Sequence, residues 1–282
     1  MRSIKKKNFK ENIVSQVVHE HIFFRKQIFK LAVADMQKTY RGAALGWFWA
    51  VIKPMVTIFV YWFAFSIGIR KSGPVTTLQG MEFPFFLWML AGIIPWFYIS
   101  EMLNPGTDCI RKYRYLVTKM NFPVSTIPTF VSLSKLAISL IMQIPCLLFF
   151  WIGGYPPDIY LLQMPFYVLM MFYFCTAMTL LFSVLSVMSK DFSNLVKSIT
   201  TAIFWLSAIM WNIDTVDNVW LKRLLRINPV TYIVTGFRNI YVNKRWFFDE
   251  KTTVYFLVIT TVIFLMALWI YRKVRKDIPD VL

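Results

Sequence analysis

Little in this chain can perform covalent chemistry. No GxxxxGK[ST] run occurs, which excludes a P-loop nucleotide site. There is no HExxH and no Cys/His cluster, and both histidines, His19 and His21, fall in an N-terminal segment that reads as surface. Cys109, Cys146 and Cys175 lie within or beside apolar stretches without metal-ligand spacing, so they read as buried or free thiols. The 14 acidic residues are nearly all in loops, with no pair placed for general acid/base work. An ion-coupled carrier needs ionisable groups near the bilayer midplane and internal symmetry, and neither is evident. The charged start, MRSIKKKNFK, is not followed by an apolar core of about 7–15 residues, so it does not read as a cleaved signal.

What is abundant is grease. Apolar residues make up 57% of the 282, aromatics 18% and charged residues only 16%, too apolar for an ordinary soluble domain of this length. Six apolar stretches can be drawn, near 43–69, 83–103, 131–152, 164–188, 196–213 and 253–271. Most reach the roughly 20 residues that cross about 30 Å of hydrocarbon, and the fifth is the shortest. The expectation is an all-α, multi-pass membrane protein with a segment 1–42 on the membrane surface, a six-helix domain over 43–271 and a tail at 272–282.

The net charge of +17 sets an orientation. With both termini cytoplasmic, 20 Lys and Arg residues face inward, against 9 in the outer loops 70–82 and 213–251, as the positive-inside rule asks. The outer loop 213–251 is the exception, with seven basic residues that need an explanation.

Residues 20–41 read as an amphipathic interfacial helix. Ile22, Phe29, Val33, Met36 and Tyr40 share one face, while Gln27, Lys30, Lys38 and Arg41 crowd the other. Gly42 and Gly46 form a GxxxG that serves either close helix approach or a bend into the first span. Trp47 and Trp49 suit an aromatic belt, and Lys53 and Lys135 are placed to snorkel. Pro54 is expected to kink its helix or to start its straight part, and Pro145 to bend its helix. Glu101, the one carboxylate within a stretch, is expected to pair with Arg111, Arg114 or a partner protein. Between the second and third stretches, NPGTDCIRKYRYLVTKMNFPVSTIP predicts a short basic helix closed off by Pro123 and Pro128. A compact charged helix there is a docking surface, and without a nucleotide site elsewhere it is where energy would arrive. Loop 153–163 is a turn-rich connection, Asp191 and Ser193 are good starters for the fifth span, and 213–251 predicts short helices broken at Asn228-Pro229, forming an interfacial or re-entrant external segment.

Several segments together resemble the membrane subunit of bacterial ABC-type polysaccharide exporters, most closely those that export wall teichoic acid. They are D-x4-YRGAALGWFWAVIKP from Asp35, YWFAFSIGIR at 61–70, FPFFLWMLAGIIPWFYI with Gly92, Pro95, Trp96 and Phe97, TKMNFPVSTIPTFV at 118–131, SKDFSNLVKSITTAIFWLSAIMW, and NPVTYIVTGFRNIYV with Gly236 and Arg238. Lys190 departs from the Arg common at that position but keeps the charge. The resemblance implies two copies of this chain working with two copies of a separate ABC ATPase, which would hold the ATP and Mg; no cofactor would be bound here. It implies an interfacial helix bearing Phe29, Val33, Met36, Tyr40 and Arg41, and a coupling helix within about 107–120. That helix would carry an apolar stripe of Ile110, Tyr113, Val117 and Met120. Asp108, Arg111, Lys112, Tyr113, Arg114 and Lys119, with Lys190 and Asp191 of the next inner loop, would serve ATPase coupling. The cargo implied is a lipid-linked, anionic polymer in the cytoplasmic membrane, teichoic acid first and another surface polysaccharide of O-antigen or capsule type as the alternative. Tyr61, Phe65, Phe204, Trp205 and Trp211 are candidates to line its path, and Arg238, Lys244 and Arg245 form a candidate external basic patch that would meet either the polymer or anionic lipid. Membrane lipid is a partner on this reading and nucleic acid is not. A membrane enzyme acting on polyprenyl-linked sugars is the competing class; it predicts a catalytic carboxylate or His at a membrane face, and none is evident.

Overall fold

The computed structural model describes residues 13–69, 74–76, 80, 82–120, 122–249 and 251–282. The charged segment expected before residue 13 and much of loop 70–82 therefore lie outside the described residues. Two helices, α1 (Ile13–Phe23) and α2 (Arg25–Tyr40), precede the bundle. Helix α3 (Trp49–Phe63) continues into a π turn at Ala64–Ile69, and a short antiparallel pair, β1 (Val75–Thr76) with β2 (Glu82–Phe83), leads into α4 (Phe85–Leu103). Next come α5 (Cys109–Lys112), α6 (Arg114–Thr118), α7 (Ile127–Ile152), α8 (Met164–Met188) and α9 (Lys190–Leu206). The chain closes with α10 (Val219–Ile227), α11 (Pro229–Arg238), a π turn at Asn239–Asn243, α12 (Thr252–Val274) and α13 (Ile278–Val281).

Among the described residues, five helical segments are long and apolar enough to cross a membrane: Gly46–Gly68, Phe85–Leu103, Val124–Ile152, Ile159–Met188 and Thr252–Val274. The fifth expected stretch, 196–213, is arranged differently. Helix α9 starts earlier, at Lys190, and stops at Leu206, where Ala208 adopts a positive φ of 52°. Its 17 residues extend about 25 Å. It nevertheless runs alongside α4 in the opposite direction, from Ser193 against Asp108 at one end to Ile209 against Arg238 and Trp88 at the other.

Helix α4 is the axis of the bundle. It is apolar on every side, and Met89, Leu90, Ala91, Ile93 and Ile99 have no exposed surface, which is what a helix enclosed by α3, α7, α8, α9 and α11 requires. By contrast α3 and α12 turn Phe59, Val60, Phe63, Val258, Val262 and Trp269 outward, apolar faces that only lipid or another protein can cover. Several polar groups within the bundle are paired: Thr176 donates to Ser132 at 2.9 Å, and the Tyr241 hydroxyl donates to Gln143 at 2.9 Å. Pro54, Pro95 and Pro145 all sit inside helices that continue through them.

Two expectations about local structure are corrected, and of the two readings of Gly42 and Gly46 the structure favours the bend. The interfacial helix is two helices, broken at Phe24 (φ −93°, ψ 11°). Gly42 and Gly46 take positive φ (84° and 48°), and a Cβ at either would meet no atom; they make the bend between α2 and α3 rather than a packing seam. The coupling helix is also two pieces, α5 and α6, divided at Tyr113 (φ −107°, ψ 25°).

Candidate coupling surface and translocation path

The segment between α4 and α7 is held by two carboxylates. Asp108 accepts hydrogen bonds from Ser186 at 3.0 Å and Ser193 at 2.7 Å, with Lys197 at 3.7 Å, which ties the start of α5 to the α8–α9 turn. Asp35, on α2, lies on the other side. Its carboxylate is 2.8 Å from the Lys112 ammonium and accepts the Tyr113 hydroxyl. Arg111 reaches the backbone carbonyl of Ser186 and comes within 4.0 Å of Asp108. Burial pushes the Asp35 carboxyl pKa up, but the hydrogen bonds from Lys112 and Tyr113 outweigh it and hold it below its ordinary value. Burial and the adjacent Asp35 charge push the Tyr113 phenol well up, so it stays a donor. Burial also pushes the Cys109 thiol up to about 12, which makes it inert.

This arrangement sorts the residues expected to serve coupling. Asp108, Arg111, Lys112 and Tyr113 are engaged within the chain, fastening the segment to α2, α8 and α9. Arg114, Lys119, Lys190 and Asp191 are exposed, as are Tyr115 at 44% and Met120 at 65%. The apolar stripe differs by one residue from the expected set. Ile110, Tyr113 and Val117 are buried, but Leu116 takes the place expected for Met120, because the break at Tyr113 turns the last residues outward. The N-terminal helices complete the platform: His21 Nε2 lies 2.8 Å from the Thr129 hydroxyl, Ser125 donates to Glu20, and Ile278 of α13 is fully buried.

Helix α2 packs on α7 through Ile28, Ala32 and Asp35. Of the expected interfacial face, Phe29 is 67% exposed, Arg41 is exposed, and Val33, Met36 and Tyr40 are half-buried. The helix thus buries one side on α7, while its exposed side carries Phe29 among Arg25, Lys26, Lys30 and Lys38.

The path candidates come together where α3, α4 and α9 meet. Tyr61 stacks on Phe204 at 5.7 Å, Phe204 contacts Trp205 at 5.2 Å and Trp96 at 5.4 Å, and Phe65 lies 6.3 Å from Trp205. The Trp211 indole donates to the Trp205 carbonyl at 2.8 Å. Phe204 is buried and Trp205 is 48% exposed.

The external basic patch does not form as expected. Arg238 is 6% exposed, its guanidinium carbon 3.4 Å from the centre of the Trp88 ring, and it donates to the carbonyls of Ala208 at 2.7 Å and Ile209 at 2.5 Å. Lys244 pairs with Asp158 at 2.6 Å, which leaves Arg245 as the exposed member. Lys222 and Arg226 share Asp214 at 3.4 and 2.7 Å. Much of the basic excess of 213–251 is therefore spent on fastening α10 and α11 rather than offered to a ligand. Glu101 likewise pairs with Lys135 at 2.8 Å, not with Arg111 or Arg114.

The described residues thus form a bundle of long apolar helices with a charged surface at one end. The family described as ABC-2 type transporter matches residues 26–242, most of the sequence, and the chain belongs to that family. An O-antigen export system permease protein, RfbA, of Myxococcus xanthus is 24% identical over 267 residues, covering 94% of this chain and 98% of the relative. Two proteins of the same name from Klebsiella pneumoniae are 20% and 18% identical over 251 and 250 residues, each covering 88% of this chain and 92% of the relative.

Proposed function

We propose that this chain is the membrane subunit of an ATP-driven exporter that moves a lipid-linked surface polysaccharide across the bacterial cytoplasmic membrane. Two copies would form the passage and two copies of a cognate ABC ATPase would supply the energy. The observation that carries this reading is the fastening of 108–120 by Asp35 and Asp108, which leaves Arg114, Tyr115, Lys119 and Met120 as a projecting charged and apolar face. A segment held rigidly on three helices transmits a push. On this reading the face bearing α1, α5, α6 and α13 is cytoplasmic, α9 is the fifth of six spans, and α10 and α11 lie at the outer side. The aromatic cluster around Phe204 is where the passage would run.

The names of the relatives favour a polysaccharide of O-antigen type over teichoic acid as the cargo. The internal pairing of Lys222, Arg226, Arg238 and Lys244 fits that preference, since few free cations remain outside for a polyanion. The experiment is co-purification with the cognate ATPase, followed by ATP-dependent export in vesicles. Reversing Arg114 and Lys119 to Glu should abolish complex formation and export while the permease stays folded. A charge-reversed chain that still assembles and exports would show that the ATPase docks elsewhere.

A further inference from the structure

A cavity of about 290 Å³ opens between α2, α3, α4 and α7, at the end of the bundle that holds α1 and α13. Its lining mixes hydroxyl groups, Thr57, Tyr98, Ser100 and Ser139, with charged and apolar side chains. Glu101 and Lys135 border it, and Ile94 and Met142, each two turns further into the bundle on the same helices, form an apolar wall. Glu101 and Lys135 neutralise one another at 2.8 Å. Lys53 also borders the cavity and is the only charged residue of Gly46–Gly68. Its ammonium lies 5.7 Å from the centre of the Trp49 ring, and among the described residues no carboxylate pairs with it. The Tyr40 phenol is a further donor at the rim.

One cation without a counter-anion, beside a wall of apolar side chains at the level where a span begins, is complementary to a lipid that carries a negative headgroup. A free anion would use only the charged part, and a zwitterionic lipid would gain little from Lys53. We propose that this cavity binds an anionic phospholipid of the inner leaflet, its phosphate against Lys53 and one acyl chain along Ile94 and Met142. The side of the membrane rests on the orientation proposed above; the binding itself does not require that the chain export anything.

The test is native mass spectrometry on the full-length permease in detergent, titrated with phosphatidylglycerol, phosphatidylcholine or inorganic phosphate. The wild-type chain should retain phosphatidylglycerol about fivefold better than phosphatidylcholine, the preference one cation gives at a membrane surface. Lys53→Gln should erase that preference and Lys53→Arg should keep it. Inorganic phosphate in millimolar excess should not displace the lipid. Met142→Trp, shown by its unfolding temperature to be folded, should weaken retention by narrowing the apolar half. Unchanged preference in Lys53→Gln, full displacement by phosphate, or equal retention of both lipids by the wild-type chain would each overturn the proposal. Because binding is read without the ATPase, a failure here leaves the export reading standing, and a failure of export leaves the lipid site standing.

Discussion

The Lys112 ammonium lies 2.8 Å from a carboxylate oxygen of Asp35, a residue 77 positions earlier in the chain. The pair joins α2 to the break between α5 and α6, fastening α2 to the segment proposed to meet the ATPase. Asp35 is 1% exposed and Lys112 is 45% exposed at the side chain, so the pair is buried on one side only.

Asp35→Ala should therefore destabilise the chain by about 2 kcal/mol, less than the roughly 3–5 that follow loss of a partner from a fully buried pair. The pH dependence has a definite sign. The folded pKa of Asp35 lies below its ordinary value, so its contribution is complete above the unfolded value near 4 and is lost as pH falls through the folded pKa. Thermal unfolding in detergent should show wild type and Asp35→Asn converging as the solution is acidified below about pH 4. A constant gap between them throughout would rule out the pair as its source.

Arg238 makes a prediction about size as well as charge. A Cβ on Gly92 would come within 2.6 Å of an Arg238 guanidinium nitrogen, so the glycine on α4 is what admits the fork between Trp88 and the α9 terminus. Arg238→Lys, which cannot reach two carbonyls with one planar group, should cost about 3 kcal/mol of stability. Gly92→Ala should cost a comparable amount alone and markedly less in the Arg238→Lys background, where the crowding atom is gone. Additive losses in unfolding measurements on the two single variants and the double variant would show that the two sites do not share a cause.

How much of this was legible in the sequence differs by feature. The spans 83–103, 131–152, 164–188 and 253–271 follow from hydropathy, because a run of apolar residues has only one physical use in a bilayer. The aromatic cluster was legible in outline, since Tyr61, Phe65, Phe204, Trp205 and Trp211 do meet. Pairings between distant residues were not. Glu101 with Lys135 and Asp35 with Lys112 depend on which helices neighbour each other, which local periodicity does not encode. The end of α9 was missed because residues 207–213 are as apolar as the helix, and only the backbone turn at Ala208 stops it. Arg238 was misread for a related reason: a basic residue in a connecting segment reads as exposed, and only its run of apolar neighbours, IVTGF before and IYV shortly after, hinted at burial.

The Glu101–Lys135 pair is asymmetric. The Lys135 side chain is 11% exposed and that of Glu101 is 51% exposed. Glu101→Gln leaves a nearly buried ammonium without its carboxylate, whereas Lys135→Met leaves a carboxylate that solvent can reach. The first should destabilise more than the second, and a double-mutant cycle should give a coupling of about 0.5–1 kcal/mol. Equal effects of the two single substitutions in chemical unfolding would argue that the pair is held open to water.

The aromatic cluster separates packing from passage. Phe204 is 7% exposed and touches Tyr61, Trp96 and Trp205, so its side chain fills the junction of α3, α4 and α9. Phe204→Ala should cost about 3–5 kcal/mol through the cavity it leaves, and export should fall only as far as the folded fraction does. Trp205 contacts Phe65 and Phe204 while about half of the side chain stays exposed. Trp205→Ala should therefore lower stability far less, yet slow ATP-driven export by the loss of a surface against which sugar rings can slide. Measured side by side in vesicles at equal amounts of folded protein, the two variants should rank in opposite order for stability and for transport. If Trp205→Ala exports at the wild-type rate, the outward ring faces lipid or a second subunit, and the passage must be sought along another face of α3.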